Sequence, residues 1–176
     1  MNLHHSDFIA ILASIYKPTV YVELGLCQGL TLSKVQPYIG KGYGVDMKSN
    51  ISLETLKQKY SNLEIICSTT NEFFEKFNEG IDMAFIDADH CYESALNDFL
   101  NIYIRLNPGG IILLHDTDPE SNKFIDPGYC GDSYKMVKYL ENHPDINCTT
   151  LPLTEAGLTM VTKKNDTRTF RRGIQP

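Results

Sequence analysis

Between residues 84 and 94 the stretch AFIDADHCYES begins as an apolar strand and ends with Asp87, Asp89, His90, Tyr92 and Glu93 within seven positions of one another. Further along, LLHDTD brings another acid, Asp116, to the end of a second apolar run. If the two strands are neighbours in a parallel sheet, both carboxylates overlook one cleft. Two hard oxygen ligands suit a divalent ion such as Mg²⁺, which seldom relies on an all-protein cage. Such an ion would hold the hydroxyls of a substrate and make a bound oxygen more acidic. Asp87 and Asp116 are therefore candidate metal ligands, with His115 and Asp89 as candidate additions. A neutral imidazole near pH 7 takes a hydroxyl proton with little penalty, which makes His90 the candidate general base. The competing role for His90 is structural, as a hydrogen-bond partner that orders the strand-to-helix turn. Tyr92 has the same two options and is left unassigned, and His4 and His5 are expected at the solvent surface.

These residues need a scaffold that delivers them to one edge. Short β-rich runs alternate with stretches of helical period, which is the pattern of an α/β protein with a mostly parallel sheet. The strands expected are TVYVEL, GYGVD, LEIIC, DMAFID, GIILLH, INCTTL and GLTMVT. Between the fourth and fifth, Ala95, Leu96, Phe99, Ile102, Tyr103 and Leu106 recur at helical spacing, and the helix is predicted to stop at NPGG. The irregular segment 116–133, rich in Asp, Pro, Gly and Ser, follows the fifth strand and so lies at the carboxyl edge, where open α/β folds bind ligands. It reads as a flap over a site or as a plain surface connection. The last two strands are separated only by PLTEA, too short for a crossover helix, so they should pair antiparallel.

The first strand runs into VELGLCQGLTLSKV, where Gly25 and Gly29 let the backbone approach a ligand without a Cβ in the way. A dinucleotide fingerprint, G-x-G-x-x-G, would need glycines where Cys27 and Leu30 stand. The second strand ends in Asp46, an acid placed to accept hydrogen bonds from both hydroxyls of a ribose, or else to cap the next helix. After the third strand, CSTTNEFF offers hydroxyls that could equally cap the helix that follows.

The spacing E-x-G-x-x-x-G, set in this strand order and closed by an antiparallel hairpin, resembles class I S-adenosylmethionine-dependent methyltransferases over about residues 18–163. That resemblance implies a three-layer Rossmann-like sandwich with a seven-stranded, mostly parallel sheet. It implies that Glu23 faces the ammonium group of the methionine moiety, a charge-assisted pairing. It also implies that Ser68 or Thr69 borders the adenine, and that the cofactor lies across Glu23, Gly25, Cys27, Gly29, Asp46, Ser68, Thr69 and Asp87. Many members of that family carry a further glycine where this chain has Cys27. The pairing of FIDADHCYE with LNPGGIILLHD is similar to a subgroup of metal-dependent sugar and antibiotic O-methyltransferases, and implies that Asp87 and Asp116 hold the metal. The expected activity is methyl transfer from S-adenosylmethionine to a hydroxyl of a small molecule or glycan lying near Asp87, His90 and Asp116. A cofactor-binding module without turnover and a nucleotide-dependent oxidoreductase are the alternatives.

The whole chain narrows the partners. Its 176 residues fit one domain with a self-sufficient core. A net charge of −6 argues against nucleic acid, whose non-specific binding needs many cations acting together. No apolar run approaches the ~20 residues of a membrane span, and a cytoplasmic protein is expected. Five widely spaced cysteines without a CxxC pair suggest neither a disulfide framework nor a zinc site. Residues 164–176 form a basic tail, expected to be solvated and partly disordered. With only a short segment before the first strand, the acceptor pocket must be completed by residues 116–133, the N-terminal helix, or a second subunit in a homodimer.

Overall fold

A computed structural model describes residues 3–126 and 128–164. The basic tail therefore lies, apart from Lys164, outside the described residues. Seven strands form one sheet in the order β3-β2-β1-β4-β5-β7-β6. They are β1 (Val20–Leu24), β2 (Lys41–Asp46), β3 (Leu63–Cys67), β4 (Ile81–Ile86), β5 (Leu106–His115), β6 (Ile146–Leu151) and β7 (Leu158–Lys163). The first five run parallel, and β7 lies antiparallel between β5 and β6. The chain turns outward on either side of β1, between β2 and β4, so the carboxyl ends of these strands frame a crevice.

Side chains alternate across the sheet and build two cores. On one face Val22, Leu24, Ala84, Ile86, Ile112 and Leu114 pack against α4 (Thr70–Lys76), α5 (Tyr92–Tyr103) and α6 (Lys135–Glu141), which contribute Phe73, Phe74, Phe99, Ile102, Met136 and Leu140. On the other, Tyr21, Met83, Phe85 and Leu113 meet α1 (His5–Tyr16), α2 (Leu30–Val35) and α3 (Ile51–Lys59) through Ile9, Ala13, Leu32, Val35 and Leu53. Each fully buried side chain of this kind contributes about 1.5–3 kcal/mol relative to exposure. The result is the three-layer sandwich expected, with its antiparallel end. None of the helices among the described residues is long and apolar enough to cross a membrane.

Local signals set the helix starts. Asn50 caps α3 by accepting from the Leu53 N–H, and Thr69 and Glu72 form a reciprocal capping box at α4. One boundary differs from expectation. Leu106 does not close α5 but opens β5, and NPGG lies within that strand rather than stopping the helix. Ile81 pairs with Leu106 while Met83 already pairs with Ile111, so residues 107–110 bulge from the ladder. Gly109, at φ 75°, supplies the left-handed backbone the bulge needs.

Segment 116–133 is anchored at both ends. The Asp118 and Glu120 amides donate to the carbonyls of Ala156 and Glu155 in the β6–β7 turn, and the Asp132 amide donates to the carbonyl of His90. It is a wall of the crevice, tied to the same loop that carries His90.

Candidate active site

Gly25, at φ 82°, opens the crevice floor. A Cβ there would stand 2.1 Å from the Asp87 carbonyl oxygen, so the β1 turn fits against the end of β4 only as glycine. Asp46 fastens the turn from the other side. Its Oδ2 accepts from the Leu26 and Cys27 amides at 2.9 and 3.0 Å, and its Oδ1 from Lys48 at 2.9 Å. Cys27 adopts φ 50° within this turn, and Gly29, at φ 75°, starts α2.

Asp87 follows β4 and Asp116 follows β5, and the two are brought together as the sequence suggests. What joins them is His115, the last residue of β5. Its Nδ1 lies 3.1 Å from Asp87 Oδ1 and 3.2 Å from Asp116 Oδ1. Burial alone would drive His115 toward the neutral form, but the hydrogen bonds and charges of Asp116 and Asp87 outweigh it and raise its pKa to about 10. Burial likewise pushes Asp116 up, yet His115, His90 and the Cys130 thiol together hold it below its usual value. Asp116 sits at φ 60°, a left-handed conformation unusual outside glycine. The Cys130 thiol, buried beside this carboxylate, is pushed up to about 12.

His90, half-buried on the β4–α5 loop, points Nε2 toward both acids, at 3.5 Å from Asp116 Oδ2 and 3.9 Å from Asp87 Oδ1. Ligand atoms of Asp87, His90 and Asp116 lie within 4.8 Å of one another, a donor set with the spacing of a cation site. Asp89 is turned away and accepts from the Ser94 hydroxyl at 2.8 Å. Asp132 reaches across from the wall segment to accept the Tyr92 amide at 2.6 Å, capping α5 and steadying the His90 loop.

One expectation changes here. His5 is half-buried rather than at the open surface: its ring packs edge-on against His115 with centroids 4.2 Å apart. Burial, then the cationic His115, lower its pKa to about 3, so it is neutral. His4 is exposed, yet both line the crevice. Nothing local in the sequence marks this contact, since α1 reaches the end of β5 only through the fold. Glu23 is fully buried on the α1–α2 side of the sheet, accepts from the Tyr21 hydroxyl at 2.7 Å, and is not among the residues lining the crevice. Burial lifts its pKa to about 8, against the lowering effect of the Tyr21 hydrogen bond.

The crevice holds about 630 Å³ beside Gly25, Cys27, Asp46, Asp87, His90 and Asp116, a size typical of small-molecule sites. A smaller cavity of about 160 Å³ lies next to it, between the ends of β2 and β3 and helix α5. The two share Gly25, Asp46 and Ala88. Ser68 and Thr69 border the smaller one, although the Thr69 hydroxyl is engaged as the cap of α4. A groove of about 690 Å³ beyond β3 is lined by Glu64, Glu72, Glu75 and Glu79. It contains no imidazole and none of Asp46, Asp87 or Asp116.

Comparison with known proteins agrees with this geometry. An uncharacterized protein of Acanthamoeba polyphaga mimivirus is 30% identical over 115 residues, covering 54% of this chain and 50% of that protein. The chain thus spans about half the length of that relative. Among solved structures, cofactor-bound Rv0187 from MTB superposes with a TM-score of 0.78 at 14% identity, over 93% of this chain and 80% of its own. An O-methyltransferase from Bacillus cereus in complex with SAH gives 0.74 at 17% identity, over 91% of this chain and 80% of its own. These likenesses establish the fold. Residues 22–117, which run from β1 to the end of the β5 acid pair and carry every strand end of the crevice, match the family described as a methyltransferase domain. By that match over more than half its length, the chain belongs to the methyltransferase-domain family, built on the class I fold.

Proposed function

We propose that the protein transfers a methyl group from S-adenosylmethionine to a hydroxyl oxygen of a small molecule or sugar. The observation that carries this reading is the pair of joined cavities. The small one has room for one flat, fused ring system, and the large one places the acid and imidazole cluster beside it, with Gly25, Asp46 and Ala88 lining both. A nucleoside placed in the small cavity would pass its ribose beside Asp46 and present its sulfonium end toward Asp87 and His90. Gly25 supports the fit indirectly, because a Cβ there would clash with the Asp87 and Ala88 backbone and push apart the two strand ends that frame the crevice. The O-methyl class draws support from the Bacillus cereus relative of the same fold.

In this reading the acceptor O–H gives its proton to His90 Nε2 as the oxygen attacks the methyl carbon. The carbon–sulfur bond breaks in line, and the neutral thioether leaves. Asp116 Oδ2, 3.5 Å from Nε2, stabilises the imidazolium that forms. His115 keeps both carboxylates in place, and its charge offsets theirs. Proximity and orientation could supply about 7–11 kcal/mol at best.

A second reading adds a divalent ion such as Mg²⁺. Asp87, His90 and Asp116 have the spacing to hold it, and it would supply acidification of the acceptor hydroxyl. His90 Nε2 serves as base or as ligand, not as both at once. An imidazole in the donor set favours Mn²⁺ over Mg²⁺.

Calorimetric titration with S-adenosylmethionine, S-adenosylhomocysteine and NAD, followed by transfer assays on sugar and catechol hydroxyls, tests the proposal. Binding of both sulfur compounds with transfer is the expected result. Binding without transfer to any acceptor would favour a cofactor-binding module, and absence of binding by either sulfur compound would overturn the reading.

A further inference from the structure

The groove of about 690 Å³ beyond β3 takes no part in the proposed transfer. β3 is the last strand on its side of the sheet, and the groove is walled by β3 and α4. Ile66, Phe73 and Phe77 give it an apolar floor, and the exposed carboxylates of Glu64, Glu72, Glu75 and Glu79 stand around it. Lys41, at 3.7 Å from Glu64 and 3.2 Å from Glu79, offsets part of that charge, as does Lys76, so four carboxylates face two ammonium groups. Charge on an outer strand serves to keep it from pairing with another chain. A floor of aromatic rings does not serve that end; it fits a surface that receives an apolar anchor flanked by cations.

The described chain leads toward the same rim. β7 runs antiparallel to β5, so Lys163 and Lys164 emerge at the amino edge of the parallel strands, the edge at which Glu64 and Glu79 stand. Lys163 Nζ donates to the Leu106 carbonyl at 2.8 Å, Leu106 pairs with Ile81, and Glu79 lies just before Ile81 in the chain. A lysine side chain, one strand spacing of ~5 Å and two residues at ~3.3 Å each make this path about 15–20 Å. Beyond Lys164 the sequence NDTRTFRRGIQP carries Phe170, Arg171 and Arg172. They stand far enough along to reach ~20–26 Å at ~3.3 Å per residue, which spans the path. We propose that segment 165–176 docks in this groove, with the Phe170 ring on Ile66, Phe73 and Phe77, and with Arg171 and Arg172 against Glu64, Glu75 and Glu79. Each exposed ion pair alone contributes little in water. Together around an apolar anchor they hold the segment, and salt weakens them. The groove is thus a docking surface for a basic peptide with an aromatic anchor, independent of methyl transfer, and its occupant is the chain's own end.

Limited trypsin digestion of the full chain, read by mass spectrometry, tests the docking through cleavage after Arg171 and Arg172. Rates are normalised to the free peptide of the same sequence, which removes the effect of salt on the protease. Cleavage should be roughly 10-fold slower in the wild type than in Glu64→Gln/Glu75→Gln, because it tracks the undocked population. That variant adds no tryptic site, and both positions are exposed, so its fold should be kept. Phe170→Ala, which leaves the groove intact, should speed cleavage by a similar factor. Raising the salt should speed cleavage in the wild type and have little effect in the groove variant. Wild-type cleavage at the rate of the free peptide, or a rate unchanged by both variants, overturns the proposal. Protection that grows with protein concentration would give the groove to a second copy and overturns docking within one chain.

Discussion

Replacing His115 with phenylalanine separates the charge at the centre of the crevice from the ring that fills it. The aromatic contacts to His5 and Phe85 are kept, while the proton shared between Asp87 and Asp116 is lost. Raising an imidazole from 6.5 to about 10 corresponds to roughly 5 kcal/mol, and breaking a buried ion pair by removing one partner costs about 3–5 kcal/mol. We therefore expect His115→Phe to lose about 3–5 kcal/mol at pH 7, or on the order of 6–20 °C in Tm for a chain of this size. The pH dependence gives a sharper reading. A histidine whose folded pKa is raised stabilises fully below its unfolded value of 6.5, and this contribution is lost as pH rises toward 10. The opposite sign applies to Asp116: its lowered pKa stabilises above 3.8 and the contribution is lost on acidification. Urea denaturation of the wild type in EDTA should accordingly show stability falling between pH 6.5 and 10, and in His115→Phe that fall should disappear. The His5 titration, followed by NMR, should move up from about 3 in the variant but stay below 6.5, because burial is its larger cause. A loss under about 1 kcal/mol with an unchanged alkaline limb would refute the ion-pair argument.

Three further outcomes follow from the geometry. Gly25→Ala places a Cβ 2.1 Å from the Asp87 carbonyl in a left-handed backbone, so it should cost about 2–5 kcal/mol and abolish binding of S-adenosylhomocysteine; an unchanged melting temperature with intact binding would contradict the packing described. His90→Gln should keep cofactor affinity within threefold while slowing transfer by roughly 10²–10⁴, and unchanged turnover would return His90 to a purely structural role. Titrating Mn²⁺ and Mg²⁺ while monitoring thermal stability should reveal a site in the wild type, with Mn²⁺ the tighter, that is missing in Asp116→Ala; an equal response in both proteins would remove the metal reading.

Much of the scaffold was legible because its signals are local. Apolar runs such as VYVEL and AFI, separated by helical periods, place six of the seven strands within a residue or two of where they lie, while β5 starts four residues before GIILLH. PLTEA leaves no room for a crossover, and the antiparallel ending follows. Asp46, Asp87 and Asp116 could be assigned to one edge because parallel strands all end on the same side. NPGG misled, since these residues usually break structure, and here a bulge accommodates them within β5. Thr69 had two readings in the sequence, and the structure engages its hydroxyl in the cap of α4.

The amino-acid sequence by itself determined the α/β order, the glycine turn and the identity of the acids at the strand ends, because hydrophobic period, turn chemistry and strand polarity act over a few residues. Only the tertiary structure decided which groups are charged and which way they face. It set His115 between Asp87 and Asp116, whose charges raise its pKa, brought His5 against it from the start of α1, turned Glu23 into the interior, and left Asp98 buried with one oxygen unpartnered. Protonation and partner choice depend on burial and on neighbours distant in the chain, and those distances exist only once the layers have packed.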